Sequence, residues 1–222
     1  MCRAGRGPYH DDVVDPQPPG VSPLRSEDHA AAGGVLGRAF FDDPLWLALM
    51  PDPQTRQAKL AQMFTGLVKT TAAANGVAET TPGLEAVALW MAPGKELGWW
   101  PMVRSGMALP RFVMTLSSHD RRRMMAVLRQ GEQRRKELMP SPHWYLEAIG
   151  VDPKHQGAGF GSSLVRAGMW RADRDQTPIY LETETEGNVR FYEHHGFDVV
   201  EQTVATGLNL PLWFMVRPQQ GP

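Results

Sequence analysis

Between residues 150 and 164 the chain reads GVDPKHQGAGFGSSL, with glycines at 150, 157, 159 and 161. So much backbone freedom is costly to order, and a folded domain keeps it where something must approach the main chain closely. The flanks narrow the options. Residues 143–151, HWYLEAIGV, read as a strand, and residues 160–174 as a helix with Leu164, Val165, Gly168, Met169 and Ala172 on its inward face. A strand, a glycine loop and a helix start together present unpaired N–H groups and a positive dipole end. That arrangement fits a phosphate-bearing ligand.

Several readings of such a loop compete. The ATP-binding loop needs a Lys before Ser or Thr after its last glycine, and Ser162-Ser163 has none. A dinucleotide fingerprint finds Gly157 and Gly159 in place but Ser162 at its last position, with Glu182 at the distance of a ribose contact. Poor strand–helix alternation ahead of the loop speaks against it. A glycine-rich turn that binds nothing is the third reading.

The rest of the chain sets the context. It has 222 residues, 42% hydrophobic and 21% charged, with a net charge of -1. These values suit a globular protein and give no general attraction to nucleic acid or an anionic membrane. The arginine runs at 121–123 and 134–136 read as a solvated helix face. No apolar run reaches membrane-spanning length. Residues 1–20 read as a disordered leader without a signal or transit pattern, and residues 21–218 as a single domain. The expected location is the cytoplasm. The single cysteine, Cys2, lies in that leader, so neither disulfides nor a cysteine metal site is expected; His, Asp and Glu lack metal-ligand spacing.

Strands are expected at 21–25, 77–80, 85–91, 143–151, 178–185, 197–205 and 212–218. Helices are expected from Ser26, as cap, to about 40, within 44–50, and over 53–74, 119–139, 160–174 and 188–196, with mixed helix and loop over 94–118. Trp46, Trp90, Trp99 and Trp100 are assigned to the core, and His194 and His195 to the surface at a helix end.

The stretch V-D-P-x-x-Q-G-x-G-x-G, with Gln156, Gly159 and Gly161, resembles the acetyl-CoA loop of the GNAT acetyltransferase superfamily. A second block, LETETEGNVRFYEHHGF at 181–197, looks like the superfamily's LET…N…FYE…GF segment, and EDHAAAGGVLGRAFFDDPL resembles the N-terminal part of many members. The C-terminal half is similar to puromycin N-acetyltransferase-like members. That pattern carries a small residue where Glu147 stands and Phe where Tyr145 stands, which points away from the same acceptor.

The resemblance implies an α/β (α+β) GNAT fold, a mixed twisted sheet flanked by helices, and acetyl-CoA as co-substrate, with another acyl-CoA as an open alternative. Acetyl transfer to an amine needs a held donor, a deprotonated nucleophile, a stabilised oxyanion and a proton for the departing thiolate. Alternation puts Tyr145, Glu147, Ile149 and Val151 on one strand face. By the resemblance, backbone groups of Ile149 and Val151 hold the pantetheine arm. Gln156, Gly157, Ala158, Gly159, Gly161 and Ser162 hold the pyrophosphate.

Glu147 is the candidate general base, a pairing with Arg or a contact to the amine being the alternatives. Tyr192 is the candidate acid near the sulfur. Asn188 caps the short helix and touches the CoA arm. The expected acceptor is a primary amine of a small molecule, of antibiotic, amino acid or polyamine type. A protein N-terminus or lysine, and a non-catalytic CoA-binding module, are the alternatives. Monomer and homodimer are both open, and neither nucleic acid nor membrane is expected as a partner.

Overall fold

The computed structural model describes residues 20–220; the expected leader, with Cys2, lies outside them. The elements follow the expected order. After β1 (Ser22–Pro23) come α1 (His29–Ala39), α2 (Pro44–Leu49), α3 (Pro53–Ala73) and the hairpin β2 (Val77–Thr80) and β3 (Ala86–Met91). Then follow α4 (Trp99–Arg104), α5 (Ala108–Met114), α6 (Ser118–Leu138), β4 (Trp144–Val151), α7 (Phe160–Arg174), β5 (Ile179–Thr183), α8 (Glu186–Glu193), β6 (Asp198–Val204) and β7 (Pro211–Arg217).

Helix starts obey local chemistry. Asp43 and Asp52 each accept an N–H bond and are followed by Pro at the first helical position of α2 and α3. Ser26 does not cap. It opens a 3-10 turn that runs into α1, and neither Arg25 nor Asp28 supplies a side-chain cap bond there. The first strand also shortens to two residues: Ser22 and Pro23 pair with β2, and the Leu24 N–H adds one bond to the Ala78 carbonyl at 2.9 Å before the chain turns away.

The seven strands form one open sheet in the order β1-β2-β3-β4-β5-β7-β6. Every neighbouring pair is antiparallel except β4 and β5. Strand alternation divides the core in two. Val87, Leu89, Ala148, Tyr180 and Phe214 pack with α1, α2, α3, α5 and α6 on one face. Ala88, Trp90, Leu146, Leu181 and Met215 pack with α7 and α8 on the other. Trp90 is buried as expected, whereas Trp100 is 73% exposed at the start of α4.

Beneath α7 lies a buried ion pair. Arg171 donates to both carboxylate oxygens of Glu79 at 2.7 and 2.8 Å, and the Trp90 indole N–H donates to Glu79 at 2.9 Å. The pair is 1% and 7% exposed, so removing one partner would strand the other charge out of water.

α1 and α3 meet at almost backbone distance. A Cβ at Gly33 would stand 2.6 Å from the Thr65 amide N, and one at Gly37 2.8 Å from that of Ala61. α1 in turn sits on β4, since a Cβ at Gly150 would lie 2.7 Å from the Ala39 Cβ. The glycines thus set how deeply both helices seat on the sheet. Gly33→Ala is expected to destabilise by about 2–3 kcal/mol in urea unfolding, because backbone must move to admit the methyl group.

Candidate active site

β4 and β5 pair over two positions only, Trp144 with Ile179 and Tyr145 with Tyr180. Beyond them β4 stays with β3 as far as Val151, and β5 stays with β7 as far as Thr183. The sheet therefore opens into a gap between two parallel strands. The Asp152 N–H bonds the Glu85 carbonyl at 2.8 Å, so by alternation Gly150 also faces β3. Ile149 and Val151 then direct their N–H and C=O groups into the gap.

A β-bulge lies at the start of this opening. Leu89 opposes Ala148 while Trp90 opposes Leu146, which leaves Glu147 as the extra residue. The bulge overturns the expected single face. Tyr145 packs in the cluster beneath α1 and α3, and Glu147 accepts a 2.7 Å bond from Thr71 of α3, whereas Ile149 and Val151 pack with α7 and α8. An inserted residue shifts a period-two pattern by one, so every side chain after it changes side.

The glycine loop closes the end of the gap. Asp152 caps the turn Pro153–His155 by accepting from the Lys154 N–H at 3.2 Å. Arg38 of α1 grips the same carboxylate at 2.6 and 2.8 Å. Burial works against that charge but is outweighed by Arg38 and the Lys154 N–H, so Asp152 stays below the usual carboxylate range. Gly157 and Gly159 have φ of +80° and +84°, the left-handed region that side chains rarely adopt.

None of the backbone N–H groups of residues 156–162 finds a hydrogen-bond partner among the described residues. They run into the start of α7, whose first residue is Phe160. Gln156 turns its side-chain amide back to the Val151 carbonyl at 3.4 Å. A row of free donors at a helix start, beside strand groups facing an open gap, fits a ligand with a pyrophosphate and an amide-bearing arm.

The other wall is acidic. Burial pushes the Glu147 carboxyl up to about 7, against the opposing pull of the Thr71 hydroxyl and the Arg135 charge. On β5, Tyr180 and Glu182 share a face, and the Tyr180 hydroxyl donates to Glu182 at 3.0 Å. Glu182 is raised by burial, and it touches α6 where a Cβ at Gly131 would lie 2.6 Å from its carboxylate. Glu184 lies in the bend just past β5, and burial together with Asp43 and Glu182 pushes it to about 8. Burial also raises Asp43 to about 6, opposed by the N–H groups of Leu45 and Trp46. The guanidinium of Arg135 lies 5.1 Å from the centre of the Tyr145 ring.

Tyr192 enters from the α8 side, packed on Phe191 and Phe197 at ring distances of 5.2 and 5.6 Å. It is 6% exposed, and its hydroxyl makes no hydrogen bond among the described residues. Burial, then the charge of Glu184, raises its pKa. The α8 cap is Thr185, which accepts from the Asn188 N–H at 3.2 Å; Asn188 instead sits in the first turn and donates its side-chain amide to Thr183 at 3.0 Å. His195 is buried and bonds the Phe191 carbonyl at 2.8 Å, a correction to its expected surface position, while His194 is exposed.

The structure thus lines up Ile149, Val151, Gln156, Gly157, Ala158, Gly159, Gly161 and Ser162 along one path. It places Glu147 and Tyr192 on opposite faces of the sheet, either side of the opening. Sequence reasoning missed the site positions of Asp43, Glu182 and Glu184, and the anchor Arg38. The period-two carboxylates after Tyr180 in LETET carried a signal for two of these; the others come from distant elements.

Comparison with known proteins identifies the family. Residues 119–199 match the acetyltransferase (GNAT) domain family. An uncharacterized N-acetyltransferase of Schizosaccharomyces pombe is 30% identical over 203 residues, covering 87% of this chain and 81% of that protein. The fold resembles the histone acetyltransferase HPA2 and related acetyltransferase of Corynebacterium glutamicum, at 24% identity and a TM-score of 0.65, over 91% of this chain and 97% of that one. It also resembles yncA of Salmonella typhimurium, solved with its cofactor acetyl-CoA, at 16% identity and a TM-score of 0.52, over 91% and 94% of the two chains. The chain belongs to the GNAT acetyltransferase family, and it is an acetyl-CoA-dependent acetyltransferase.

Among the described residues Arg38 makes its ion pair with the loop through Asp152, so its removal should loosen the loop without altering the acidic wall. Arg38→Met is expected to weaken CoA binding by about tenfold in calorimetry, the value of a lost charge-assisted bond.

Proposed function

We propose that the protein transfers an acetyl group directly from acetyl-CoA to a primary amine of a small molecule, with Glu147 as general base and Tyr192 as general acid. The observation that carries this reading is a carboxyl raised to about 7 by burial, standing at the bulge where β4 parts from β5. A base of that pKa is half-ionised near neutrality, where proton transfer is most effective. The covering of Glu182 by α6 and of Glu147 by α3 favours a compact acceptor over a polypeptide.

In this reading the N–H groups of Gln156, Gly157, Ala158, Gly159, Gly161 and Ser162 hold the pyrophosphate. Ile149 and Val151 pair with the arm, as an added strand would, and Asn188 lies beside it. Bound acetyl-CoA supplies an activated acyl group. Glu147 takes one proton from the attacking nitrogen, directly or through water. Tyr192 gives one proton to the departing sulfur. The balance is one C–N bond made, one C–S bond broken, and one proton moved from nitrogen to sulfur, with solvent restoring both side chains.

Tyr192 is raised by burial, so it stays protonated through the neutral range. A thiolate leaving into the same dry surroundings is made more basic as well, which keeps the transfer feasible. The route requires both substrates to be bound together, and the initial-rate pattern should be sequential with no acyl-enzyme.

A panel of small primary amines, scored by acetyl-CoA-dependent thiol release, tests the reading; no turnover with any of them would contradict it. In the wild type kcat/KM should rise with pH through about 7 as Glu147 loses its proton. Glu147→Gln should lower kcat/KM by about 10²–10⁴-fold and remove that inflection, leaving only the amine's own ionisation. Tyr192→Phe should lower kcat by about 10–100-fold with little change in the KM for acetyl-CoA.

A further inference from the structure

Past its first turn, α3 carries the threonines Thr65, Thr70 and Thr71. Two of them bond as helix threonines do. The Thr65 hydroxyl donates to the Ala61 carbonyl at 2.7 Å, and that of Thr70 to the Gly66 carbonyl at 2.8 Å. Thr71 departs from this. Its hydroxyl leaves the helix and donates to Glu147 Oε2 at 2.7 Å, the length of a bond to an ionised carboxylate. Thr71 is fully buried, so water does not compete for the donor.

The end of α3 is held where this bond requires it. The Thr71 carbonyl accepts the Gly76 N–H at 2.9 Å as the helix closes. A Cβ at Gly76 would stand 2.7 Å from Thr71 Cγ2 and 2.7 Å from the Trp90 carbonyl oxygen, so the turn seats against both the threonine methyl and the strand opposite the bulge. A β-branched side chain in a helix has few rotamers, and with its methyl set against Gly76 the Thr71 hydroxyl is aimed at β4.

The other groups around Glu147 act at longer range. Arg135 on α6 favours its ionised form, and its charge raises the neighbouring Tyr145 on β4. On β5, Tyr180 and Glu182 bond each other. Opposite lie Leu89 and Trp90 of β3, neither of them titratable. Among the described residues, Thr71 is the group that hydrogen-bonds the carboxylate, while Oε1 accepts no bond and is not enclosed.

We propose that Thr71 is a positioning residue for the reaction: its hydroxyl holds Oε2 of Glu147, so that the amine proton is delivered to Oε1 at the opening. The inference rests on the reading of Glu147 as general base, and adds which oxygen works and what aims it. The proton leaves the attacking nitrogen for Oε1 as the C–N bond forms, the Thr71 bond to Oε2 persists, and Oε1 then releases the proton to solvent. A hydroxyl donor also favours the carboxylate over the carboxyl. Removing it therefore raises the pKa further and leaves less base ionised at neutrality.

The test follows the Glu147 carboxyl by carbon-13 NMR in the full chain labelled at glutamate Cδ, the signal being assigned by its loss in Glu147→Gln. The wild-type midpoint should lie near 7. Thr71→Val and Thr71→Ala differ in volume but both lack the hydroxyl; both should raise the midpoint, and Thr71→Ser should keep it. This titration needs no acceptor. With the amine of the panel that reacts fastest, the two variants without the hydroxyl should lose about 10–100-fold in kcat/KM at neutral pH, with little change in the KM for acetyl-CoA. Thr71→Ser should restore most of that loss, and circular dichroism should show all three folded. A midpoint unmoved in both Thr71→Val and Thr71→Ala overturns the proposal and leaves Glu147 as base untouched. A loss of activity that Thr71→Ser does not restore overturns it too. An inflection in kcat/KM that survives Glu147→Gln overturns the base reading, and the inference falls with it.

Discussion

The parallel ladder between β4 and β5 is two residue pairs long, and the site depends on its ending there. Had the pairing continued, Ile149 and Val151 would bond to β5 and the face of β5 would be sealed. Instead the bulge at Glu147 adds a residue to β4 just where the strands part. β3 keeps one side of β4 fully paired and β7 keeps one side of β5 paired, so the sheet stays whole around the opening. Buried backbone groups left without partners cost about 1–3 kcal/mol each. The gap is therefore poised to take a ligand that supplies both donor and acceptor along an extended arm, as an added strand does.

The two ends of that gap carry opposite chemistry. At the loop end, the N–H groups of residues 156–162, unpaired among the described residues, and the start of α7 gather positive potential. At the wall end, the half-buried carboxyls of Glu147, Glu182, Glu184 and Asp43 are raised above their ordinary ionisation range by burial. The chain's net charge of -1 gives no hint of this separation. It arises from where the fold places the groups. Arg38 and Asp152 brace the first end against α1, and the glycine contacts of α1 with α3 and β4 carry that brace through the core. A change at Gly33, far from the chemistry, is thereby coupled to the seating of the loop.

Most of the fold was legible in the sequence, for local reasons. The helix over 160–174 and the hairpin of β2 and β3 emerge with nearly the expected limits, because apolar period and turn residues decide them. The glycine loop was legible, for the same reason, as a turn that leads unpaired N–H groups into a helix start. What escaped depends on contacts between distant elements. Uninterrupted alternation in HWYLEAIGV hid the bulge, which exists only through β3's register, and so Glu147 was placed on the wrong face relative to Ile149 and Val151. Asn188 looked like a cap because the helix begins two residues earlier than its apolar pattern shows. His195 and Trp100 exchanged their expected surroundings, since burial there is set by neighbours that no local pattern names. The acidic wall joins α2, β4 and β5, and only the folded chain brings these together.

Residue-resolved amide hydrogen exchange with and without CoA tests the central claim most directly. The opening between β4 and β5 predicts that the amides of Ile149, Val151 and residues 156–162 exchange readily in the free protein and become protected when CoA is added, while Gly150, paired with β3, is protected in both states. Unchanged exchange at Ile149, Val151 and the loop on saturation with CoA would contradict the account.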